Sequence, residues 1–341
     1  MNSALWHLFM ARVRSFYREP GVLFWSFGFP ILLAVALGIA FRNAPPEPVA
    51  VGVAASCGPD VRAALAADPD VHPRDADGAE ADRLLRIGAV AIVVECAGER
   101  TYRFDPTRPE SRLARLVVHD ALERGAGRAD RTTPVDRRVT EVGARYVDFL
   151  IPGLIGSNLM SAGLWGLGFT LVDMRVRKLL KRLAATPMRR RDFLLSFLLV
   201  RAALVLVELP AMLLFARLAF GVTVHGSVLA LVAITLLGSL SFGGIGVLVA
   251  SRAQNTQTVS GLINLVSMPM YLCSGVFFSA SKFPEMMQPV VRVLPLTALN
   301  DALRGVMTDG VGFAEIAPRV AIFCGWGLLA FVVALKGFRW R

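Results

Sequence analysis

The sequence predicts an α-helical polytopic membrane protein, with six transmembrane helices and an α/β extracytoplasmic domain inserted between helices 1 and 2. Three observations carry this. The 341 residues are 55% hydrophobic with only 18% charged and a mean hydropathy of +0.55, whereas soluble domains hold about a quarter charged residues. Six apolar segments recur along the chain, each close to the ~20 residues that cross a bilayer. The charge is also sorted: residues 43–147 hold 15 Arg against 17 Asp/Glu, and the rest of the chain holds 22 Lys/Arg against 9 Asp/Glu. That basic excess lies in short segments beside apolar runs, which is the positive-inside pattern of membrane topology. It accounts for a net charge of +11 without nucleic acid as a partner.

Residues 1–21 read as a cytoplasmic amphipathic helix and its terminator. Leu5, Phe9, Val13 and Phe16, with Trp6, Met10 and Tyr17, form a broad apolar face, and His7, Arg14 and Arg18 face away. An aromatic-rich face opposite basic residues favours lying in the membrane interface, in contact with lipid; the competing reading is an ordinary packed helix. Glu19-Pro20-Gly21 breaks the pattern. Transmembrane helix 1 follows at 22–42, its run from Val22 to Phe41 too long for a cleaved signal and read as a signal anchor.

Residues 43–147 are expected to form an extracytoplasmic α/β domain. Strands are predicted at 49–55, 89–94 and 101–104, with helices at 60–67, 82–86 and 108–124, and 128–138 is a polar linker. Cys57 and Cys96 each follow an apolar strand-like run, and an extracytoplasmic setting would permit a disulfide between them. Cys273 and Cys324 fall inside apolar spans and read as small packed hydrophobes. The four histidines are scattered and no zinc spacing occurs.

Residues 148–341 carry five further apolar segments, at 149–172, 193–220, 226–251, 257–280 and 314–335. Small residues four apart, Ser157/Ser161, Ala162/Gly166, Ser239/Gly243 and Gly246/Ala250, predict close helix packing in lipid. The insert 173–192 carries eight Lys/Arg between two spans and therefore faces the cytoplasm. Leu179, Leu180 and Leu183 share one helical face in it and Thr186-Pro187 stops the helix, which suits force transfer from a cytoplasmic partner. With Arg12, Arg14, Arg18, Arg252, Lys336, Arg339 and Arg341, one side of the membrane collects 15 basic residues against three acids, so both termini are expected in the cytoplasm. Pro284, Pro289 and Pro295 interrupt the apolar stretch around 282–307, predicting a pair of short re-entrant helices on the outer face.

Little of this resembles catalytic chemistry. No Gly-x-x-x-x-Gly-Lys-Ser/Thr occurs, so the chain does not hold a nucleoside triphosphate in the usual way. Glu208, near the centre of the third span with Arg201 seven residues before it, is the sharpest polar feature. An intramembrane carboxylate is costly and must face protein or water. It is either a substrate-path or proton-linked group, or one half of an ion pair with Arg201 or a neighbouring helix.

The order of segments then resembles a known family. A span opening Tyr146-Val-Asp-Phe-Leu-Ile-Pro-Gly153, a basic loop ending Leu183-Ala-Ala-Thr-Pro-Met-Arg-Arg-Arg-Asp-Phe-Leu-Leu195, and the run Pro269-Met-Tyr-Leu-Cys-Ser-Gly-Val-Phe-Phe278 stand in sequence, followed by Phe283-Pro and Leu294-Pro-Leu-Thr-Ala-Leu-Asn-Asp-Ala-Leu-Arg304. This is similar to the membrane subunit of ABC type-2 exporters of drugs, lipids and polysaccharides. The resemblance implies a permease that is not itself an enzyme, in a bacterial-type plasma membrane. It would pair with a second permease copy or a related chain and dock on separate ABC ATPase subunits. No cofactor would be bound by this chain, ATP and Mg belonging to the ATPase. The coupling residues would be Arg175, Arg177, Lys178, Lys181, Arg182, Thr186, Pro187, Arg189, Arg190 and Arg191, and 282–304 would match the family's outer re-entrant helices. An ATP-independent secondary transporter using Glu208, and a sensor or assembly factor acting through 43–147, are the two alternatives.

Overall fold

A computed structural model describes residues 3–40, 48–128, 145–184 and 190–337. The chain divides into two compact units, one of residues 1–42 with 140–341 and one of residues 43–139.

The second unit is a four-stranded sheet of order β2-β1-β3-β4, built from β1 (Val49–Val53), β2 (Val71–Asp75), β3 (Ile92–Glu95) and β4 (Thr101–Phe104). The first three strands are parallel and β4 runs antiparallel to β3. Parallel neighbours need helical crossovers. Two of the three helices supply them, α3 (Pro59–Ala66) from β1 to β2 and α4 (Gly78–Ile87) from β2 to β3; α5 (Pro109–Gly125) follows β4. Because strand side chains alternate between faces, Val51, Val53, Ile92 and Val94 pack with Leu65, Ala114 and Val118 on one side. Val93 packs with Ala81 and Leu84 on the other. Strand β2 escaped the sequence pattern, since Val-His-Pro-Arg-Asp exposes most of its side chains. It lies at the edge, where Pro73 can be accommodated. Cys57 and Cys96 are joined in this unit, their Cα atoms 4.8 Å apart.

The first unit is helical. It contains α1 (Ser3–Arg18), α2 (Pro20–Ala40), α6 (Tyr146–Val176), α7 (Leu179–Ala184), α8 (Arg190–Phe220), α9 (Val228–Arg252), α10 (Thr256–Cys273), α11 (Gln288–Val293), α12 (Pro295–Met307) and α13 (Phe313–Gly337). Five of these are long and apolar enough to cross a membrane: α2, α6, α8 over Leu199–Phe220, α9 and α13. Leu218, Leu229, Leu265 and Leu328 are exposed on helix surfaces, as suits side chains that meet lipid rather than water.

The predicted span at 257–280 ends earlier than the sequence suggests. α10 has 18 residues, about 27 Å at 1.5 Å per residue, against a hydrocarbon thickness of about 30 Å. Its first turn is Thr-Gln-Thr and Asn264 sits midway. It stops at Cys273, not 280, because Gly275 turns the chain at a φ of +68°, a conformation open to glycine at no steric cost.

Helix α9 is the axis of the unit, with buried side chains along nearly its whole length. Small residues set its approach to both neighbours. On one side a Cβ at Gly168 would lie 2.8 Å from the Gly246 oxygen, and one at Gly163 would lie 2.6 Å from Phe242. On the other, a Cβ at Gly244 would lie 2.6 Å from the Gly327 oxygen of α13. Four-residue spacing picks out Gly246 but misplaces its partner, for Gly166 has nothing within 4 Å. The reason is the π-helical segment Ala162–Phe169 within α6. Residues five apart point about 140° apart on an α-helix with 3.6 residues per turn. The i→i+5 bonding of a π-turn brings them towards one face, so Gly163 and Gly168 both reach α9.

The broken stretch before the last span forms α11 and α12, joined at Leu294. All of α12 is buried except Asp301 and Arg304, and it packs among α6, α9 and α13.

Candidate functional site

Three groups of polar side chains distinguish the helical unit: the basic segment after α6, an ion pair inside α8, and the contacts of α12.

The segment 173–192 is not one helix. Asp173 and Arg175 belong to the end of α6, which stops at Val176. Lys178 then turns the chain at a φ of +59°, the one non-glycine residue with positive φ among those described. α7 follows, and Arg190 and Arg191 open α8. Thr186, Pro187 and Arg189 lie outside the described residues, as do the side chains of Leu183, Arg190 and Arg191.

The basic residues separate by role. Arg175 is half-buried, and its Nη1 donates to the carbonyl oxygens of Ala250 (3.0 Å) and Ala253 (2.7 Å) at the C-terminus of α9. A cation there satisfies orphan carbonyls and complements the helix dipole, which makes Arg175 a bracket between two helices. Arg177 pairs with Asp173 one turn back, at 2.9 Å. Lys178, Lys181 and Arg182 are exposed while Leu180 is buried against the helical core. α7 is therefore a basic ledge anchored by one leucine.

Helix α1 is fixed against α8 and α6 through Arg12. Its guanidinium lies over the Phe197 ring of α8, 3.1 Å from the centroid, and approaches the Met174 sulfur of α6 at 3.9 Å. Burial lowers the Arg12 pKa to about 10, since desolvation disfavours the charged form.

Arg201 and Glu208 meet within α8. Two turns separate them, and their side chains are 7% and 5% exposed. Nη1 donates to Oε1 at 3.0 Å and Nη2 lies 2.9 Å from Oε2. Arg201 Nε donates to Ser239 Oγ of α9 at 2.9 Å. The seven-residue spacing makes this pair readable in the sequence. Its third member, Ser239, carries in the sequence only the signal of a small residue suited to helix packing.

The contacts of α12 went unread. Asn300, fully buried, donates Nδ2 to the Ser274 oxygen at 2.9 Å, and its Oδ1 rests on Gly156 of α6, where a Cβ would collide with it. Arg304 lies over the Phe149 ring, 3.7 Å from the centroid, and donates to the carbonyl oxygens of Phe149 and Gly275. An Asn and an Arg four residues apart in an apolar helix carry the signal for this cluster. Beside it, Tyr146 donates to the Phe277 oxygen at 2.9 Å. Arg145 pairs with Asp148 at 3.0 Å and caps α8 through the Phe220 oxygen at 2.9 Å. α6 is thus held by α12 near its start and by α9 near its end. Among the described residues, no group of three or more His, Cys, Asp or Glu could hold a metal ion.

Residues 126–336 match the family model described as "ABC-2 family transporter protein". Among curated proteins, the chain is 26% identical to ABC transporter G family member 20 of Dictyostelium discoideum over 196 residues, covering 56% of this chain and 27% of that protein. It is 25% identical to nodulation protein J of Sinorhizobium fredii, over 57% of this chain and 73% of that one. It is 22% identical to the inner membrane transport permease YhhJ of Escherichia coli, over 50% and 46% respectively. The match therefore spans about a quarter of the first relative and about half of the third. A family match over most of the chain and five helices suited to a bilayer agree that this polytopic membrane protein belongs to the ABC-2 transporter family.

Proposed function

We propose that the chain is the permease subunit of an ATP-driven exporter, pairing with a second permease copy and coupling to separate ATPase subunits that bind ATP and Mg. One observation carries the reading. α6 runs 31 residues, about 46 Å at 1.5 Å per residue, from its seat against Val276 and α12 to the exposed basic α7. A partner pressing on α7 would load one continuous helix and, through Arg175, the end of α9. The far end of that helix carries α12.

In this reading six helices cross the membrane, with α10 as the fifth span. Both termini and α7 lie in the cytoplasm, residues 43–147 lie outside, and 282–307 re-enters from the outer face. Lys178, Lys181 and Arg182 are the docking residues, with Arg189, Arg190 and Arg191 alongside. Arg175 and Arg177 organise the ledge.

Affinity purification of the full chain from its native membrane should recover an ATPase subunit. Reversing Lys178, Lys181 and Arg182 together to Glu should lower that recovery at least tenfold without lowering the melting temperature of the chain. Recovery of no ATPase with the wild type, or equal recovery with the triple variant, overturns the reading.

A further inference from the structure

Three arginines converge on one carboxylate where α11, α12 and α13 meet. Asp301 of α12 lies 3.8 Å from Arg304, and Arg319 of α13 and Arg292 of α11 also act on it electrostatically. The Arg319 guanidinium folds over α12 one turn after Asp301, with Nη1 3.5 Å from where a Cβ on Gly305 would stand. Trp326 lies about two turns further along α13, on the same face as Arg319, and donates Nε1 to the Val293 oxygen at 2.9 Å. That bond brings Arg292, the neighbour of Val293, to the same face of α13.

The charges there do not balance. Arg304 is committed to the Phe149 ring and to backbone oxygens, and Asp301 offsets its charge. Arg292 and Arg319 are exposed, and among the described residues neither forms an ion pair. Glu315, one turn before Arg319 on α13, is the other nearby acid, so three arginines stand against two carboxylates. Depth sharpens the imbalance. Lys336 lies in the last turn of α13, and Arg319 is about 26 Å from it at 1.5 Å per residue, inside a hydrocarbon layer about 30 Å thick. A cation at that depth is costly and reaches for an anion or for the interface. The side chains exposed around the pair, Val290, Val293 and Trp326, are apolar or aromatic.

We propose that Arg292 and Arg319 hold the phosphodiester of an anionic phospholipid, whose acyl chains lie against Val290, Val293 and Trp326. Guanidinium groups pair with phosphate through two parallel hydrogen bonds, and basic pockets between membrane helices are suited to acidic headgroups. The occupant is a lipid and not free phosphate because the surrounding surface is apolar and Arg319 lies within the hydrocarbon layer. An anionic headgroup is preferred to a zwitterionic one, since a choline cation would add to an excess of positive charge already there. The inference rests on the proposed reading for the outer side of the membrane, and it needs no ATPase. A lipid held there would brace α11 and α12 against α13.

Hydrogen exchange of the full chain in lipid nanodiscs tests this. The amides of α11 should exchange at least threefold more slowly in discs of equal parts phosphatidylglycerol and phosphatidylcholine than in phosphatidylcholine alone. Arg292→Gln and Arg319→Gln should each remove most of that difference while leaving exchange in phosphatidylcholine at the wild-type level. Arg292 is exposed on a short surface helix, so its variant keeps the test available should Arg319→Gln fail to fold. Asp301→Asn adds positive charge and should keep or enlarge the difference. No lipid dependence in the wild type overturns the proposal, as does a dependence that survives both arginine variants, since general surface charge would then be its source. Slowing by inorganic phosphate in phosphatidylcholine discs also overturns it, because the ligand would then be a free anion. No ATPase takes part, so failure here is separate from failure to recover an ATPase subunit.

Discussion

Gly246 of α9 rests directly on the carbonyl oxygen of Gly163 of α6, and a Cβ added at Gly246 would overlap that oxygen. The obstacle is backbone and not the tip of a flexible side chain, so one helix must move for any larger residue to fit. Overpacking in a tight interior costs about 1–3 kcal/mol. Gly246→Ala should fall in or above that range and lower the melting temperature in detergent. Gly166→Ala, three residues from Gly163 with nothing within 4 Å, should leave the melting temperature unchanged or raise it. Equal melting temperatures for the two variants would refute the packing account.

The Arg201–Glu208 pair yields a prediction of opposite character. Breaking a buried pair by removing one partner leaves an uncompensated charge and costs about 3–5 kcal/mol, whereas replacing both partners with apolar residues of similar volume is often neutral. Arg201→Met and Glu208→Leu should therefore each destabilise the chain strongly, while the double variant recovers most of the loss. A double-mutant cycle on thermal melting measures this coupling. Additive losses would mean that the two residues act independently despite their 3.0 Å contact.

These cases show where the sequence was readable. Features set by spacing along one helix came through, such as Arg201 and Glu208 two turns apart or the amphipathic run of α5. Features set by how helices meet did not. Ser239 completes the ion pair only because α9 packs beside α8, and Asn300 meets Gly156 across 144 positions of sequence. Gly163 and Gly168 pair with α9 through a π-turn that no residue in Ala-Gly-Leu-Trp-Gly-Leu-Gly-Phe announces. The short helix expected around Leu179, Leu180 and Leu183 lies at Leu179–Ala184, and its start is set by the left-handed turn at Lys178, a conformation that side chains with a Cβ rarely adopt.

That turn is itself testable. A left-handed conformation costs a non-glycine residue about 1–2 kcal/mol. Lys178→Gly should relieve this cost and stabilise the corner, and Lys178→Val should worsen it because a branched Cβ resists the conformation. Hydrogen exchange at the amides of α7 reports the corner directly, with slower exchange expected in the glycine variant and faster in the valine variant. The reverse order would show that the corner is held by something other than backbone preference.

In the sheet-containing unit, the Cys57–Cys96 bond closes a loop of 39 residues in sequence separation. Chain-entropy arguments assign a loop of that size a stabilisation of about 4 kcal/mol. The double replacement of Cys57 and Cys96 by Ser in the full chain should make residues 48–128 much more susceptible to limited proteolysis. Cleavage within the helical unit should not change. Mapping the cut sites by mass spectrometry separates the two, and unchanged susceptibility at 48–128 would mean that the bond does not support this unit.

Acid should destabilise the same unit through its carboxylates. The Asp105 carboxyl is held below its usual range by the Thr107 hydroxyl, which donates at 2.6 Å, and by the Thr107 amide at 2.9 Å. Asp75 is lowered by Arg62, and Asp120 by Arg128 and Arg124. A carboxyl whose folded pKa lies below its unfolded value, about 3.9 for Asp, stabilises the fold above that value. The contribution is lost as pH falls through the lower, folded pKa. Thr107→Val removes the hydroxyl and brings Asp105 back towards its ordinary range, so the variant should be less stable than wild type at neutral pH. The difference should narrow as pH drops below about 4, where Asp105 of the unfolded chain takes up its proton, and close once pH passes below the lower pKa of folded wild type. Pulse proteolysis in urea, read on fragments from 48–128, measures the gap. In 1 M salt the ion-paired contributions of Asp75 and Asp120 are screened, while Thr107 is uncharged and its effect on Asp105 persists. A Thr107→Val gap of constant size from pH 7 to pH 2 would rule out the hydrogen bond as its origin.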